Sequence, residues 1–290
     1  MTASQARQFD LQPHPRILPM LGEINLDQWR CIAELVDNAV DGFLQMQRGG
    51  QTIASPHVAV SVPTSNRAGG KISVRDNGPG MDADTLERAV RAGWTSHNPI
   101  DSLGLFGMGF NIATARLGTV TKVWSTRAGD PEWQGVEIDF EALVRHGSFR
   151  TPLLTRPKQS ATESGTEVTV EKLKPDHASW FARQNNRTKL QRDLSKSYSA
   201  MLHANGMPLS FRLELNTTPI VGRQHCVWGG PESTARSVEH SRYGVIDAYQ
   251  RVDNRLSDRA YCLRCWHWAP AQGGACPACG ESDQLVDRQR

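Results

Sequence analysis

Several features that mark special classes of protein are scarce or absent in this sequence. It contains no apolar run long enough to cross a bilayer, no secretory signal pattern, no internal repeat and no low-complexity tract. Its net charge of +3 is too small to argue by itself for binding to nucleic acid. Four of its six cysteines lie close together near the end, which is not the pattern of a disulfide scaffold. We therefore expect a cytoplasmic protein with no membrane partner.

Composition and periodicity predict an α+β fold. The 290 residues are 38% hydrophobic and 22% charged, which is enough for a sizeable core in one large or two modest domains. Proline-rich residues 1–25 predict an extended arm. Apolar residues recur at the helical spacing or alternate as in strands along most of the remainder. Helices are predicted at 26–46, 82–93, 111–118 and 187–206, and strands at 57–63, 71–76, 119–127, 135–140 and 165–173. A further strand or hairpin is predicted at 209–221. This order predicts helices laid on a mostly antiparallel sheet, with the first two strands forming a hairpin.

The stretch CIAELVDNAVDGF, residues 31–43, predicts a helix with an unusual polar face. At about 100° per residue, Glu34, Asn38 and Asp41 fall within roughly 60° of each other, with Asp37 beside them. A surface helix shows a polar face to water in any case, so solvation alone explains such a cluster. The alternative is that these groups hold a cation and a ligand.

The stretch DNGPGM, residues 76–81, follows a predicted strand. A carboxylate at a strand end, here Asp76, can accept a hydrogen bond from an exocyclic amine such as that of adenine. Gly78 and Gly80 leave room for a flat ligand against the backbone. Asp-Asn-Gly is also good chemistry for a simple turn, and the stretch alone does not decide between them.

A third stretch, GLFGMGF (residues 104–110), places glycines directly before a predicted helix. Free amides at a helix N-terminus form an anion site that phosphate can approach closely, although a flexible loop explains the glycines equally well. No Gly-Lys-Ser/Thr follows, so this is not a Walker A loop, and it does not match a Rossmann fingerprint.

Taken in order, four stretches resemble the motifs of the GHKL ATPase superfamily, which includes DNA gyrase B subunits, large heat-shock chaperones, histidine kinases and MutL proteins. ELVDNAVDG resembles its first motif, DNGPGM its second, GLFGMGF its lid motif and GTEVTV its fourth, over roughly residues 20–175. The first and third stretches look most like the microrchidia ATPases and their bacterial relatives. The resemblance implies a Bergerat-type two-layer sandwich.

The resemblance also implies roles for individual residues. Glu34 would orient and deprotonate the attacking water, Asn38 would hold Mg²⁺, and Asp76 would bind the adenine amine, with Thr166 supporting it. Many relatives place a lysine after the predicted helix at 82–93, where this sequence has Thr95, Ser96 and His97, so a hydroxyl would replace it. The full set of nucleotide contacts implied is Asn38, Asp41, Asp76, Gly78, Gly80, Met81, Thr95, Ser96, Gly104, Leu105, Phe106, Gly107, Met108, Gly109, Phe110 and Thr166.

The implied activity is slow, Mg²⁺-dependent hydrolysis of ATP that drives lid closure and dimerisation, in DNA handling or phage defence, with DNA, RNA or a protein as client. The implied organisation is an arm at 1–25, an ATP-binding domain at 26–180, an incomplete transducer-like α/β segment at 181–255 and a zinc module at 256–290. A nucleotide-responsive module without turnover is an alternative, because no transducer lysine can be assigned. A histidine-kinase-type phosphotransferase is another, although no dimerisation helix pair with a phosphoacceptor is evident.

The last motif is Cys262-x2-Cys265-x10-Cys276-x2-Cys279. Two C-x-x-C pairs at this spacing predict a closed tetrahedral site for structural Zn²⁺, with redox pairs or an iron–sulfur cluster as alternatives. Arg264, Trp266 and Trp268 either stack on nucleic-acid bases or cover the metal knuckles. The isolated Cys31 is predicted to pack in the first helix.

Overall fold

The computed structural model describes residues 13–67, 69–91, 108–202, 209–223, 237–247, 255–262, 264–265, 267–270, 275–282 and 285–289. The described helices are α1 (Ile17–Leu21), α2 (Gln28–Arg48), α3 (Ala83–Val90), α4 (Gly109–Leu117), α5 (Phe140–His146), α6 (Pro175–Ala182), α7 (Gln184–Ser197) and α8 (Ser199–Leu202). The first eight described strands are β1 (His57–Ser61), β2 (Ile72–Asp76), β3 (Gly118–Thr126), β4 (Glu132–Asp139), β5 (Leu154–Pro157), β6 (Gly165–Leu173), β7 (Arg212–Leu215) and β8 (Thr218–Pro219). The others are β9 (Ser237–His240), β10 (Gly244–Asp247), β11 (Arg255–Cys262), β12 (Trp268–Pro270) and β13 (Leu285–Gln289).

The first eight strands form one sheet in the order β5-β4-β3-β6-β2-β1-β7-β8. Every neighbouring pair is antiparallel except β1 and β7, so the predicted mostly antiparallel sheet is confirmed. The predicted hairpin of β1 and β2 is also confirmed, with Val60 opposite Val74. Two smaller antiparallel sheets follow, one of β9 and β10 and one of β11, β12 and β13.

The sheet has one face against the helices and one face of mixed polar character, which confirms the two-layer sandwich. On β3, Val123 is 2% exposed and joins the core with buried side chains of the helices, such as Ile32 and Phe43 of α2. The residue before it, Lys122, points to the other face and pairs with Glu171 at 3.0 Å. This alternation follows from the period of two along a strand.

Local chemistry accounts for several helix ends. The Asp82 carboxylate accepts a hydrogen bond from the Thr85 amide at 2.9 Å and caps α3. The helix α4 ends at Gly118, as the sequence predicts. Sequence reasoning missed α5, although its signals are present: Asp139 caps its start, and Gly147 ends it in the left-handed conformation at φ 61°.

The prediction of an extended arm over residues 1–25 was wrong for part of that segment. Residues 17–21 form α1, whose Leu18 and Leu21 are buried in the same core as α2 and α4. The reason is tertiary: two leucines three residues apart lie on one side of a helical turn and gain apolar contacts there.

The segment predicted to begin a second unit contributes to the same sheet and core. The strand β7 pairs in parallel with β1, with Val58 opposite Leu213, and it forms a hairpin with β8. From α7, Leu190 and Leu194 are fully buried in the common core. The domain boundaries themselves stay predictions. Of the helices that the structure describes, none combines the length and apolar composition needed to span a membrane.

Candidate functional site

The polar residues of the first stretch differ in their exposure on α2. Asn38 is exposed, Glu34 is half-buried and Asp41 is 5% exposed. Burial raises the pKa of the Glu34 carboxyl above its ordinary value, because the charged form loses solvation. A carboxyl with a raised pKa is a better proton acceptor, which is the property required of a general base.

Glu34 lies directly against the beginning of α4. A Cβ atom placed on Gly109 would overlap with Oε2 of Glu34, so the two can approach this closely only because residue 109 is a glycine. The first stretch and the third stretch are therefore in contact, although Gly109 follows Glu34 by 75 positions in the sequence.

Asp76 stands at the end of β2 and is held by the backbone of two segments. Its Oδ1 accepts hydrogen bonds from the amides of Gly78 at 2.7 Å and Thr166 at 3.2 Å. Burial raises the pKa of Asp76 to about 6, and these two hydrogen bonds partly oppose that rise. Since both bonds from the described residues go to Oδ1, Oδ2 is the oxygen that can accept a hydrogen bond from a ligand.

Ser125 of β3 joins the second and fourth stretches, and sequence reasoning missed it. Its Oγ accepts a hydrogen bond from the Met81 amide at 2.8 Å, donates to the Gly165 carbonyl at 3.1 Å and lies 2.9 Å from Oγ1 of Thr166. The residue is fully buried. The signal in the sequence is a serine at an inward position of a strand, two residues after the core residue Val123, where an apolar side chain is the ordinary choice.

The glycines of the second stretch have a structural reason in addition to the predicted room for a ligand, which stays a prediction. A Cβ atom on Gly80, which has φ +71°, would overlap with the Thr126 carbonyl, and one on Gly78 would lie 2.8 Å from Oδ1 of Asp76. These two glycines are thus required by contacts within the protein itself.

Asp37 makes a side-chain contact with the end of another helix. Its Oδ1 accepts a hydrogen bond at 2.6 Å from the hydroxyl of Tyr198, at the end of α7. Together with Glu34 they line a cleft of about 410 Å³, which also includes Trp29 and Arg30. Sequence reasoning did not single out Tyr198, and no local pattern marks it.

Several predicted nucleotide contacts lie outside the described residues. They are Thr95, Ser96, Gly104, Leu105, Phe106 and Gly107. Met108 stands just before α4, and Gly109 and Phe110 form its first turn. All three are half-buried.

The four cysteines of the last motif converge, as their spacing predicts. Their sulfur atoms all lie within 4.8 Å of one another, with 3.7 Å between Cys262 and Cys279 and 3.5 Å between Cys265 and Cys276. A tetrahedral Zn²⁺ with bonds of about 2.3 Å separates its sulfur ligands by about 3.8 Å. The donor set therefore fits zinc.

The two C-x-x-C pairs have the same local geometry. The amide of Cys262 donates to the carbonyl five residues later, that of His267, and the amide of Cys276 donates to that of Glu281. The Arg264 guanidinium pairs with the Glu281 carboxylate, so it links the two knuckles. Trp268 is 39% exposed, and Trp266 lies outside the described residues.

Cys31 packs in the core, as predicted. It is fully buried, and burial raises the pKa of its thiol to about 12, so the thiolate required for reactivity does not form at neutral pH.

Two comparisons with known proteins bear on this site. The family model described as histidine kinase-, DNA gyrase B-, and HSP90-like ATPase matches residues 26–176, which is just over half of the chain. The match contains α2 with Glu34 and Asn38, the Asp76 turn, the beginning of α4 and Thr166.

The chain is also similar to microrchidia proteins of Arabidopsis thaliana. It is 31% identical to MICRORCHIDIA 1 over 118 residues, or 40% of this chain and 18% of that protein. It is 34% identical to MICRORCHIDIA 3 over 101 residues, which are 34% of this chain and 16% of that protein. It is 30% identical to MICRORCHIDIA 6 over 162 residues, which are 49% of this chain and 23% of that protein. The matched part thus spans less than a quarter of each of these relatives.

Proposed function

Since the chain belongs to the family of histidine kinase-, DNA gyrase B- and HSP90-like ATPases, we propose that it binds ATP between α2 and the Asp76 turn and hydrolyses it slowly. The proposal rests chiefly on Asp76. A half-buried carboxylate, held on one oxygen by the Gly78 and Thr166 amides, offers its other oxygen to an amine donor. Adenine presents such a donor in the exocyclic amine at C6, where guanine presents a carbonyl.

The phosphate end of the site would lie between Glu34 and the beginning of α4. The amides at the start of α4 and the dipole of this helix favour an anion there. We propose that the 104–110 segment caps the phosphates, that Thr95 or Ser96 contributes a hydroxyl, and that Asp41 stiffens the pocket.

Glu34 would act on the attacking water. Its carboxylate accepts a proton from the water, whose oxygen forms a bond to the γ-phosphorus as the bond from that phosphorus to the β,γ-bridging oxygen breaks. The products are ADP and phosphate, and Glu34 then returns its proton to solvent. The raised pKa of Glu34 supports this role, since a general base gives about 10²- to 10⁴-fold when its pKa approaches the working pH.

Asn38 is the proposed Mg²⁺ ligand. Its exposed side chain lies one turn after Glu34 on α2, and Mg²⁺ takes few protein oxygens together with water and phosphate oxygens. When bound, the ion neutralises phosphate charge.

The test of the proposal separates binding from hydrolysis. We expect Glu34→Ala to bind ATP with Mg²⁺ as the unmodified protein does, while its rate of phosphate release falls by about 10²-fold or more. Glu141→Ala, at an exposed position of α5, is the matched control. Normal hydrolysis by Glu34→Ala would overturn the assignment of the base. ATP binding without phosphate release by the unmodified protein would favour a non-hydrolysing switch.

We also propose that nucleotide promotes dimerisation and that the protein acts on DNA. The similarity to the microrchidia proteins supports this extension. Sedimentation with and without a non-hydrolysable ATP analogue tests the first part: an unchanged monomer would overturn it. Titration of labelled DNA in the presence of the same analogue tests the second.

A further inference from the structure

The Tyr198 hydroxyl contacts both ends of the helical turn that carries Glu34. It lies 2.6 Å from Oδ1 of Asp37 and 3.0 Å from the carbonyl oxygen of Ala33. Ala33 and Asp37 are four residues apart on α2, so Glu34 lies within the turn between them. One hydroxyl proton is thus shared between a side-chain acceptor and a backbone acceptor of this turn.

The ring of Tyr198 is fixed in place by packing. The residue is 5% exposed, and its ring meets that of Phe211 edge to face at 5.8 Å between centroids. The Phe211 ring in turn lies 6.3 Å from that of Phe43, further along α2. Because the ring is buried against Phe211, the position of its hydroxyl is set by α7 and the segment before β7.

Asp37, which accepts the hydrogen bond from this hydroxyl, lies among other charged groups. Glu34 and Asp41 flank Asp37 on α2, and Arg30 lines the same cleft. Burial raises the pKa of Asp37 to about 6; the hydrogen bond from Tyr198 lowers it, while the two neighbouring acids raise it. Burial and the charge of Asp37 also raise the pKa of Tyr198 far above its usual range, so its hydroxyl stays a donor.

Tyr198 lies outside the 26–176 region of the family match. We propose that Tyr198 is a positioning residue for hydrolysis, which holds the Glu34 turn through Asp37 and the Ala33 carbonyl and so couples α7 to the general base. The inference rests on the proposed function, because it needs Glu34 to be that base. A displacement of α7 would shift the hydroxyl and release the turn.

The test begins with Tyr198→Phe, which keeps the ring and its packing and removes only the hydroxyl. We expect kcat for ATP hydrolysis to fall about 10-fold, since a displacement of about 1 Å at a reacting group can cost about 10²-fold. KM for ATP should stay unchanged, because Tyr198 is absent from the proposed nucleotide contacts. Tyr243→Phe, at a position that is 66% exposed, is the matched control.

A double-mutant cycle tests the route through Asp37. We expect Asp37→Ala to lower kcat as Tyr198→Phe does, and the double variant to be no slower than the slower single variant, because both substitutions remove the same hydrogen bond. Three results would overturn the inference and leave the proposed function standing. They are losses in kcat that multiply in the double variant, an unchanged kcat in Tyr198→Phe, and an effect of Tyr198→Phe confined to KM. Absence of hydrolysis by the unmodified protein would overturn both.

Discussion

The carboxylate of Glu34 occupies the space in which any side chain at Gly109 would have to begin. The acidic helix therefore contacts the glycine-rich stretch at Gly109. This contact explains why a glycine is needed at the first position of α4, where helix propensity alone favours other residues.

Gly109→Ala should therefore lower the activity without lowering the stability. The overlap falls on the far end of a flexible side chain, so Glu34 can move aside at little cost, while alanine favours the helix by up to about 1 kcal/mol over glycine. We expect an unchanged or slightly raised melting temperature together with a loss of about 10- to 100-fold in kcat. Calorimetry and steady-state phosphate release measure the two. Full activity in this variant would show that the position of Glu34 against α4 does not matter.

Asp76→Asn should reduce the preference for adenine. A hydrogen bond to a charged group contributes about 1.5–3 kcal/mol, which corresponds to about 10- to 100-fold in affinity. The asparagine amide can also donate to the guanine carbonyl. We expect the ratio of ATP to GTP affinity, measured by calorimetric titration, to fall by that factor. Asp84→Asn, on the exposed side of α3, serves as the control, and an unchanged ratio in Asp76→Asn would contradict the assignment.

The same preference should depend on pH. Because the pKa of Asp76 is about 6, its carboxylate becomes protonated as the pH falls through 6 and then donates to guanine in place of accepting from adenine. We expect the ratio of ATP to GTP affinity to decrease between pH 7.5 and pH 5. Phosphate protonation is common to both nucleotides and cancels in the ratio. A ratio that is flat across this range would count against Asp76 as the base-reading group.

The stability of the nucleotide-free protein should increase as the pH falls, whereas the ratio of ATP to GTP affinity should decrease. Asp37 and Asp76 have folded-state pKa values of about 6, raised from 3.8 by burial. Between about pH 4 and pH 6 the folded protein then binds more protons at these groups than the unfolded chain. Their contribution to the free energy of unfolding increases as the pH falls through this window. Urea denaturation at pH 7 and pH 5 should show a larger gain in the free energy of unfolding for the unmodified protein than for Asp37→Asn or Asp76→Asn, because neither variant can take up a proton at that position.

Ser125→Ala should loosen the junction of the second and fourth stretches. It removes the hydrogen-bond partner of the Met81 amide, and leaving such a group unsatisfied costs about 1–3 kcal/mol. We expect lower stability and weaker ATP binding. Thr121→Val is a matched control on the same strand, since Oγ1 of Thr121 is buried and makes no hydrogen bond with the described residues. Equal effects of the two substitutions would refute a specific role for Ser125.

Removal of the metal should affect the cysteine module and spare the nucleotide site. Each chain should carry one Zn²⁺ by elemental analysis, and Cys276→Ser should lose it, because a structural site needs all four ligands. Nucleotide affinity should persist in this variant, since every proposed nucleotide contact precedes residue 167. Iron in the purified protein would contradict the zinc assignment.

Much of the fold was predictable because its signals are local. The valine alternation of β1 and β2, the periodicity of α2 and the glycine after α4 act over a few residues. The cysteine cluster was predictable as well, since tetrahedral coordination restricts the spacing within each pair. The helix α1 was not, because its five residues are stabilised mainly by burial of Leu18 and Leu21 in the common core.

The sequence by itself determined which side chains we propose for the chemistry: an acid and an amide one turn apart on α2, a carboxylate before a glycine turn, and four thiols. Only the tertiary structure decided how they are held, through Glu34 against Gly109, Ser125 between Met81 and Thr166, and Tyr198 on Asp37. The physical reason is distance along the chain. Residues 41 to 161 positions apart meet only when the sheet and its helices pack together, and no local pattern records which of them will touch.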